Sequence, residues 1–546
     1  MSLLNQAEAG VIVRAGYDTM DGSHGYIIAS LPPASPLAAT AALDFRRRPL
    51  AIGAVSEENI TPVDSHKPGA AGAAGAGGSH PAPPAPPVHR AHQAGAVSLA
   101  GMHGSVAVPD SQAGFWRQMR AFIGPGILVS VAYMDPGNWG TDLQGGAQFK
   151  YELLWVVALA SLMAIFLQII AARLGIATGR DLAQCCHDWY PKWTRMPNWL
   201  LAEVAIIACD LAEVLGGAVA LNMLFHIPIF WGVIITGLDV IVLLALQGLG
   251  MRMIEGVVLL LVATIGVCYA IEIFVLPQTR PSFLEMGKAL VTPHLSSPGL
   301  VFVAIGIIGA TVMPHVLYLH PALVQSRKFQ KDDASIRTAI RFNTIDVVGN
   351  LSIAFLINAA ILVLAAIVFF GKTSVAVAGG QVIPLNGATD WIQAANLTLA
   401  PLLGTAAGSA LFAVALLASG QSSTIVGTMA GQVVMEGFMR WRIKPWVRRL
   451  VTRSLAIVPT AVFIGLRGAN NINNLLVLSQ VVLALQLPFA MFPLLHLASS
   501  RKRMGQWRLG WFLLTAGWTS ALVITVFDFY GLPDTVRLAW QFLGGQ

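Results

Sequence analysis

Charge is what this chain has least of. Of its 546 residues only 11% are Asp, Glu, Lys or Arg, while 55% are hydrophobic and the mean hydropathy is +0.67. Water-soluble domains carry about a quarter of their residues as charges. Soluble classes are therefore excluded, and the chain reads as an all-α polytopic membrane protein lodged in a lipid bilayer. The net charge of +7 does not restore a nucleic-acid partner, because the basic residues lie in short loops between apolar runs. Cysteine is scarce as well. Cys185 and Cys186 are adjacent at a helix end, and Cys209 and Cys268 lie in apolar stretches, which is not a disulfide framework. The chain shows no glycine-rich phosphate loop, no soluble ATPase domain and no soluble catalytic domain. An enzyme is not expected, nor a cofactor or an obligate protein partner. Work across the membrane would draw on an ion gradient.

Residues 1–114 differ from the rest. Ala, Gly and Pro dominate, with runs from Ala70 to Gly78 and from Pro81 to Pro87. Such a segment has too few apolar side chains to offset the entropy of ordering it, so a poorly ordered cytoplasmic extension is expected. It has no signal-peptide pattern. It holds six of the twelve histidines (His24, His66, His80, His89, His92 and His103), so a metal-collecting tail is one reading and a dispensable tail the other.

The remaining region, 115–530, contains eleven apolar segments. They fall near 121–145, 150–174, 199–223, 229–247, 253–276, 298–322, 343–371, 401–437, 451–467, 473–497 and 507–529. The eighth is long for one span, and one end is expected to project. Basic residues alternate between loops. Arg173, Arg180, Lys192 and Arg195 follow span 2. Arg327, Lys328, Lys331, Arg337 and Arg341 follow span 6. Arg440, Arg442, Lys444, Arg448 and Arg449 follow span 8, and Arg501, Lys502 and Arg503 follow span 10. The positive-inside rule then puts the N-terminus in the cytoplasm and the C-terminus outside, in an inner (plasma) membrane.

Two of these spans are interrupted by short polar sequences. The first contains Asp135-Pro-Gly-Asn138 and the sixth Met313-Pro-His315. Proline removes a backbone donor and glycine tolerates unwinding. A broken helix inside a bilayer is expected only where it lines a cavity or a site. The offset of five spans fits two five-span repeats of inverted topology, about 121–276 and 298–497, with an extra helix at 507–529. The breaks would present the Asp135 carboxylate, the Asn138 amide, the Met313 thioether and the carbonyls of Ala132 and Ala310 to one point. Thioether ligation favours transition-metal ions over Ca and Mg. In span 10, Gln480 is the polar residue placed nearest that point. The plainer alternative is a capped kink in which Asp135 and Asn138 only bond free amides.

Asp210 and Glu213 in span 3 share a helical face, with Glu203 seven residues earlier roughly on it. Intramembrane acids commonly relay protons; the alternative is a packing salt bridge to a basic residue near span 9, such as Arg453. His315 and His320 are further proton carriers by residue type, although His320 reads equally well as a core hydrogen-bonding residue.

Together these motifs resemble the Nramp family of proton-coupled divalent metal transporters. Asp210-Leu-Ala-Glu213, Ala418-Ser-Gly-Gln-Ser-Ser-Thr-Ile425 and Leu478-Ser-Gln480 strengthen the likeness, which runs from about Gly124 to at least residue 490. The resemblance implies a LeuT-like inverted repeat of five plus five helices with an eleventh, broken in helices 1 and 6. It implies metal binding by Asp135, Asn138 and Met313 with the Ala132 and Ala310 carbonyls, Gln480 joining when the inner side is closed. It implies a proton path through Asp135, His315, Asp210 and Glu213 with a basic partner such as Arg453. The activity implied is import of Mn(II), and often Fe(II), with protons moving the same way. Met313 argues against the magnesium-transporting relatives. Val316 and Pro321 depart from the family pattern, where Asn and Ser are usual. The rivals are a sodium-coupled organic-solute symporter of the same fold and a non-transporting metal sensor.

Overall fold

A computed structural model describes residues 97–110, 113–238, 250–271, 281–295, 297–376, 382–385, 389–403, 407–467 and 472–542, together with 4–7, 10–18 and 24–31. The chain divides into two compact units, 1–89 and 90–546. In the first, strands β1 (Leu4–Ala7), β2 (Gly10–Asp18) and β3 (His24–Leu31) form an antiparallel sheet in the order β1-β2-β3. Val13 lies opposite Leu4 on one side and Ala29 on the other. The β-branched clusters Val11-Ile-Val13 and Ile27-Ile28 suit strands. The runs at 70–78 and 81–87, and His66, His80, His89 and His92, lie outside the described residues.

The second unit starts earlier than residue 115. Ser98, Leu99 and Val106 are buried, and β4 (Val106–Ala107) pairs in parallel with β5 (Arg327–Lys328). Two apolar side chains and a strand edge thus find partners there that composition cannot reveal. The body is helical. Helices α1 (Phe115–Phe122), α2 (Pro125–Ala132) and α3 (Pro136–Phe149) lead into α4 (Leu154–Thr178), a short α5 (Leu182–Trp189) and the long α6 (Arg195–Phe225). Then come α7 (Ile229–Thr236), α8 (Met251–Ala270), α9 (Phe283–Val291), α10 (Pro298–Thr311) and α11 (Pro314–Leu323). Helices α12 (Asp333–Phe369), α13 (Trp391–Leu403), α14 (Ala407–Met439), α15 (Pro445–Arg467), α16 (Ile472–Ser499), a short α17 (Arg501–Met504) and α18 (Trp511–Phe542) complete it.

Among the described residues, eight helical segments are long and apolar enough to cross a membrane. The other three expected spans escape that count for physical reasons. The first is split into α2 and α3, the fourth, expected at 229–247, lies partly outside the described residues, and the ninth, α15, carries Arg448, Arg449, Arg453 and Arg467. The segment expected at 401–437 is the end of α13 plus α14. The seventh span begins ten residues early, because Asp332 caps α12 by accepting the Ser335 amide at 3.0 Å. All four cysteines are buried. Packing places α6 along α14, α12 along α3 and α4, and α16 against α10 and α6. The two interrupted helices are thereby held between the longest straight ones.

Candidate metal centre and proton route

Both breaks follow from one rule. In a continuing helix the Ala132 carbonyl would accept from residue 136 and the Ala310 carbonyl from residue 314. Both positions are proline, which has no N–H to give. Helix α2 accordingly ends at Ala132 and α10 at Thr311. Pro136 and Pro314 restart the chain at the first positions of α3 and α11, where a fixed φ and a missing donor cost nothing.

Asp135 is the N-cap of α3. Its Oδ1 accepts from the Asn138 amide N–H at 2.9 Å and from Asn138 Nδ2 at 2.6 Å. The capping arrangement is thus present, but it uses one oxygen. The carboxylate is fully buried, and Oδ2 has no partner among the described residues. An unsatisfied carboxylate oxygen in a membrane interior is expensive, and a cation is what would satisfy it. Asn138 ties the two breaks together, because its Nδ2 also donates to the Ala310 carbonyl at 3.0 Å. Its Oδ1 accepts from Asn358 Nδ2 at 3.2 Å and Thr311 Oγ1 at 3.4 Å. Asn358 donates in addition to the Tyr133 carbonyl at 2.8 Å, and Ser419 Oγ donates to the Met134 carbonyl at 2.5 Å. Met313 is the fully buried N-cap of α11.

Helix α16 closes over this point. A Cβ on Gly137 would lie 2.1 Å from Gln480 Nε2, and one on Gly309 would lie 2.0 Å from the Gln480 carbonyl oxygen. Gln480 therefore touches both broken helices at once. Its Nε2 donates to Ser479 Oγ at 2.9 Å, while Oε1 has no partner among the described residues. Among those residues no three His, Cys, Asp or Glu come together as a metal cluster. The contacts around the Asp135 carboxylate are with the neutral Asn138 amide, which also reaches the Ala310 carbonyl.

Asp210 and Glu213, both buried on α6, face two buried arginines of α15. Arg449 Nη1 lies 2.5 Å from Asp210 Oδ1, and Arg449 Nη2 lies 3.3 Å from Glu213 Oε2. Arg453 Nη1 is 3.0 Å from Glu213 Oε2 and 3.6 Å from Asp210 Oδ1. Ser423 and Thr424 of α14 each donate to Glu213 at 2.9 Å. Glu203, further along α6, takes Arg448 Nη2 on both oxygens at 3.0 and 2.9 Å. Arg448 and Arg449 are therefore not loop charges: both are buried, because carboxylates await them inside the bundle. His315 is buried with neither ring nitrogen partnered among the described residues, within electrostatic reach of Asp210. Asp135 and Glu213 also lie within reach of each other. His320 belongs to a separate chain, with Nδ1 2.9 Å from Gln168 Oε1 and Gln168 Nε2 donating to the Tyr133 hydroxyl at 2.8 Å. Of the residues that sequence reasoning missed, Asn358 and Gln168 are lone amides in apolar helices and Arg449 stands four residues before Arg453; each carried that signal.

At the face bearing the basic loops, the start of α2 is bolted down. Asp346 Oδ2 of α12 accepts the Gly126 and Gly124 amides at 2.7 and 3.3 Å. Arg327 Nη2 donates to the Ile123 carbonyl at 2.7 Å, while Nη1 pairs with Glu255 Oε1 of α8 at 2.6 Å.

Two discontinuous helices meeting at a buried acid inside an all-α membrane body define a carrier of the inverted-repeat kind. Its lineage is specific: the chain belongs to the Nramp family, whose model, described as natural resistance-associated macrophage protein-like, matches residues 126–533. The chain is 49% identical over 429 residues to the divalent metal cation transporter MntH of Nostoc sp. (strain PCC 7120), covering 78% of this chain and 93% of that protein. It is 47% identical over 440 residues to MntH of Mesorhizobium japonicum, covering 80% and 94%. A crystal structure of the Eremococcus coleocola manganese transporter, in complex with an aromatic bis-isothiourea substituted compound, superposes with a TM-score of 0.70 at 36% identity. It covers 82% of this chain and 97% of that one. The LeuT-like fold expected from the sequence is therefore present.

Proposed function

We propose that the chain carries Mn(II), and Fe(II), into the cytoplasm together with protons, using Asp135, Asn138, Met313, Gln480 and the carbonyls of Ala132 and Ala310 to hold the ion. One observation carries the site assignment: Asn138 Nδ2 bonds the Ala310 carbonyl while the Asp135 Oδ2 beside it is buried and unmatched. The relatives' names, divalent metal cation transporter and manganese transporter, support the substrate class. The basic loops support a cytoplasmic N-terminus and an external C-terminus.

The arriving ion sheds water, and the Asp135 carboxylate with the aligned carbonyl dipoles offsets part of that cost. Asn138 must release the Ala310 carbonyl, or share it, to let the ion bridge the breaks. The proton leaves by way of His315 toward the Asp210 and Glu213 carboxylates, whose arginine partners on α15 keep the acids in place as charge passes. Glu203 and Arg448 continue that polar file toward the basic-loop face. His320, tied to Gln168, holds Tyr133 at the first break.

The test is Mn(II) uptake into proteoliposomes with and without an inward proton gradient. Uptake stimulated by the gradient and lost in Asp135→Ala is the expected result. Full uptake by Asp135→Ala would discard the site.

A further inference from the structure

Residues 97–110 lie outside the family match, yet they are fastened to the carrier at both ends. At one end, the Leu99 amide donates to Glu436 Oε2 of α14 at 3.0 Å, and Gln184 Nε2 of α5 donates to Ser98 Oγ at 3.1 Å. In the middle, the Gly104 amide donates to the Gln325 carbonyl at 2.9 Å. Val106 and Ala107 then pair in parallel with Arg327 and Lys328, the residues just after α11. At the other end, Gln118 Nε2 of α1 donates to the Asp110 carbonyl at 2.6 Å. Leu99 and Val106 are buried in the process.

The position matters more than the number of bonds. Arg327 is the residue whose side chain fixes the start of the first broken helix to α8. The same residue's backbone is a partner of β4. The segment thus runs from the scaffold helices α5 and α14, across the end of the second broken helix, to the helix that precedes the first. Any parting of α2 and the end of α11 from that scaffold would break these contacts.

We propose that residues 97–110 form a strap that holds the cytoplasmic side shut and must detach from β5 for metal to be released. The inference rests on the import reading and on the orientation given with it. It predicts that fixing β4 to β5 stops the cycle without touching the metal site.

The test uses the full chain with Ala107→Cys and Lys328→Cys, a paired couple of exposed residues. The four natural cysteines are buried and do not compete. A short thiol-specific cross-linker should join the pair in proteoliposomes. Mn(II) uptake should then fall to background, while each single variant treated alike keeps its rate. Cross-linked protein that still transports would show that the strap never leaves, and absence of cross-linking would show that it is not docked; either overturns the proposal. A second variant, Glu436→Ala, removes the acceptor of the Leu99 amide. Labelling of Val106→Cys in that background should be roughly ten-fold faster, the effect of one charge-assisted hydrogen bond; an unchanged rate would count against the strap. Failure of the import reading shows separately, as no Mn(II) uptake by the untreated natural chain.

Discussion

At the scale of single residues, the proposed centre turns on one unsatisfied atom. Asp135 Oδ1 caps α3, while Oδ2, which has no partner among the described residues, is the atom proposed to meet the ion. Met313 is proposed to do a different job, since a thioether is a poor ligand for hard, oxygen-seeking ions. Met313→Ala should therefore keep Mn(II) uptake within a few-fold while Ca(II) or Mg(II) becomes an effective competitor. Competition assays that leave selectivity unchanged would remove that role. Val316, which departs from the family pattern, is wholly buried next to His315 and displaces none of the proposed ligands.

At the scale of elements, the decisive contact is α16 against both broken helices, and two glycines make it possible. A methyl on Gly309 would meet the backbone oxygen of Gln480, which cannot swing aside, so α10 and α16 would have to separate. Overpacking of that kind costs about 1–3 kcal/mol, and Gly309→Ala should lower the melting temperature in detergent. A methyl on Gly137 meets only the far end of the Gln480 side chain. Gly137→Ala should thus melt like the natural protein but transport poorly, because the amide is pushed off the site. Equal melting losses in the two variants would contradict this account. The breaks were legible in the sequence because proline and glycine act locally, as at Pro136 and Pro314. The partners were not. Arg449 reads as a loop charge until α15 is seen to press it onto Asp210, and Asn358 is a lone amide until α12 brings it against Asn138. Both contacts join residues more than two hundred positions apart, which no local pattern encodes.

At the scale of the whole molecule, composition disclosed the membrane and the interrupted spans the fold, yet both misjudged the segment before the first span. Average polarity hides an apolar residue such as Leu99 when it is solitary and its pocket is built by distant helices. Orientation is checked most directly at Lys502, an exposed residue between α16 and α18. Lys502→Cys should react with a membrane-impermeant thiol reagent only in inside-out vesicles. Reaction in right-side-out cells would invert the topology.

A site with one carboxylate is also an electrical device. A divalent ion on ionised Asp135 makes the loaded centre formally +1, whereas the empty, ionised centre is −1. A potential negative inside contributes about 2.3 kcal/mol per elementary charge for each 100 mV crossed. It therefore draws the loaded form inward and returns the empty form outward, so that both half-cycles run with the field. A second ionised acid among the ligands would neutralise the loaded state and forfeit the first of those gains; the proposed ligand set, with Asp135 as its one carboxylate, keeps both.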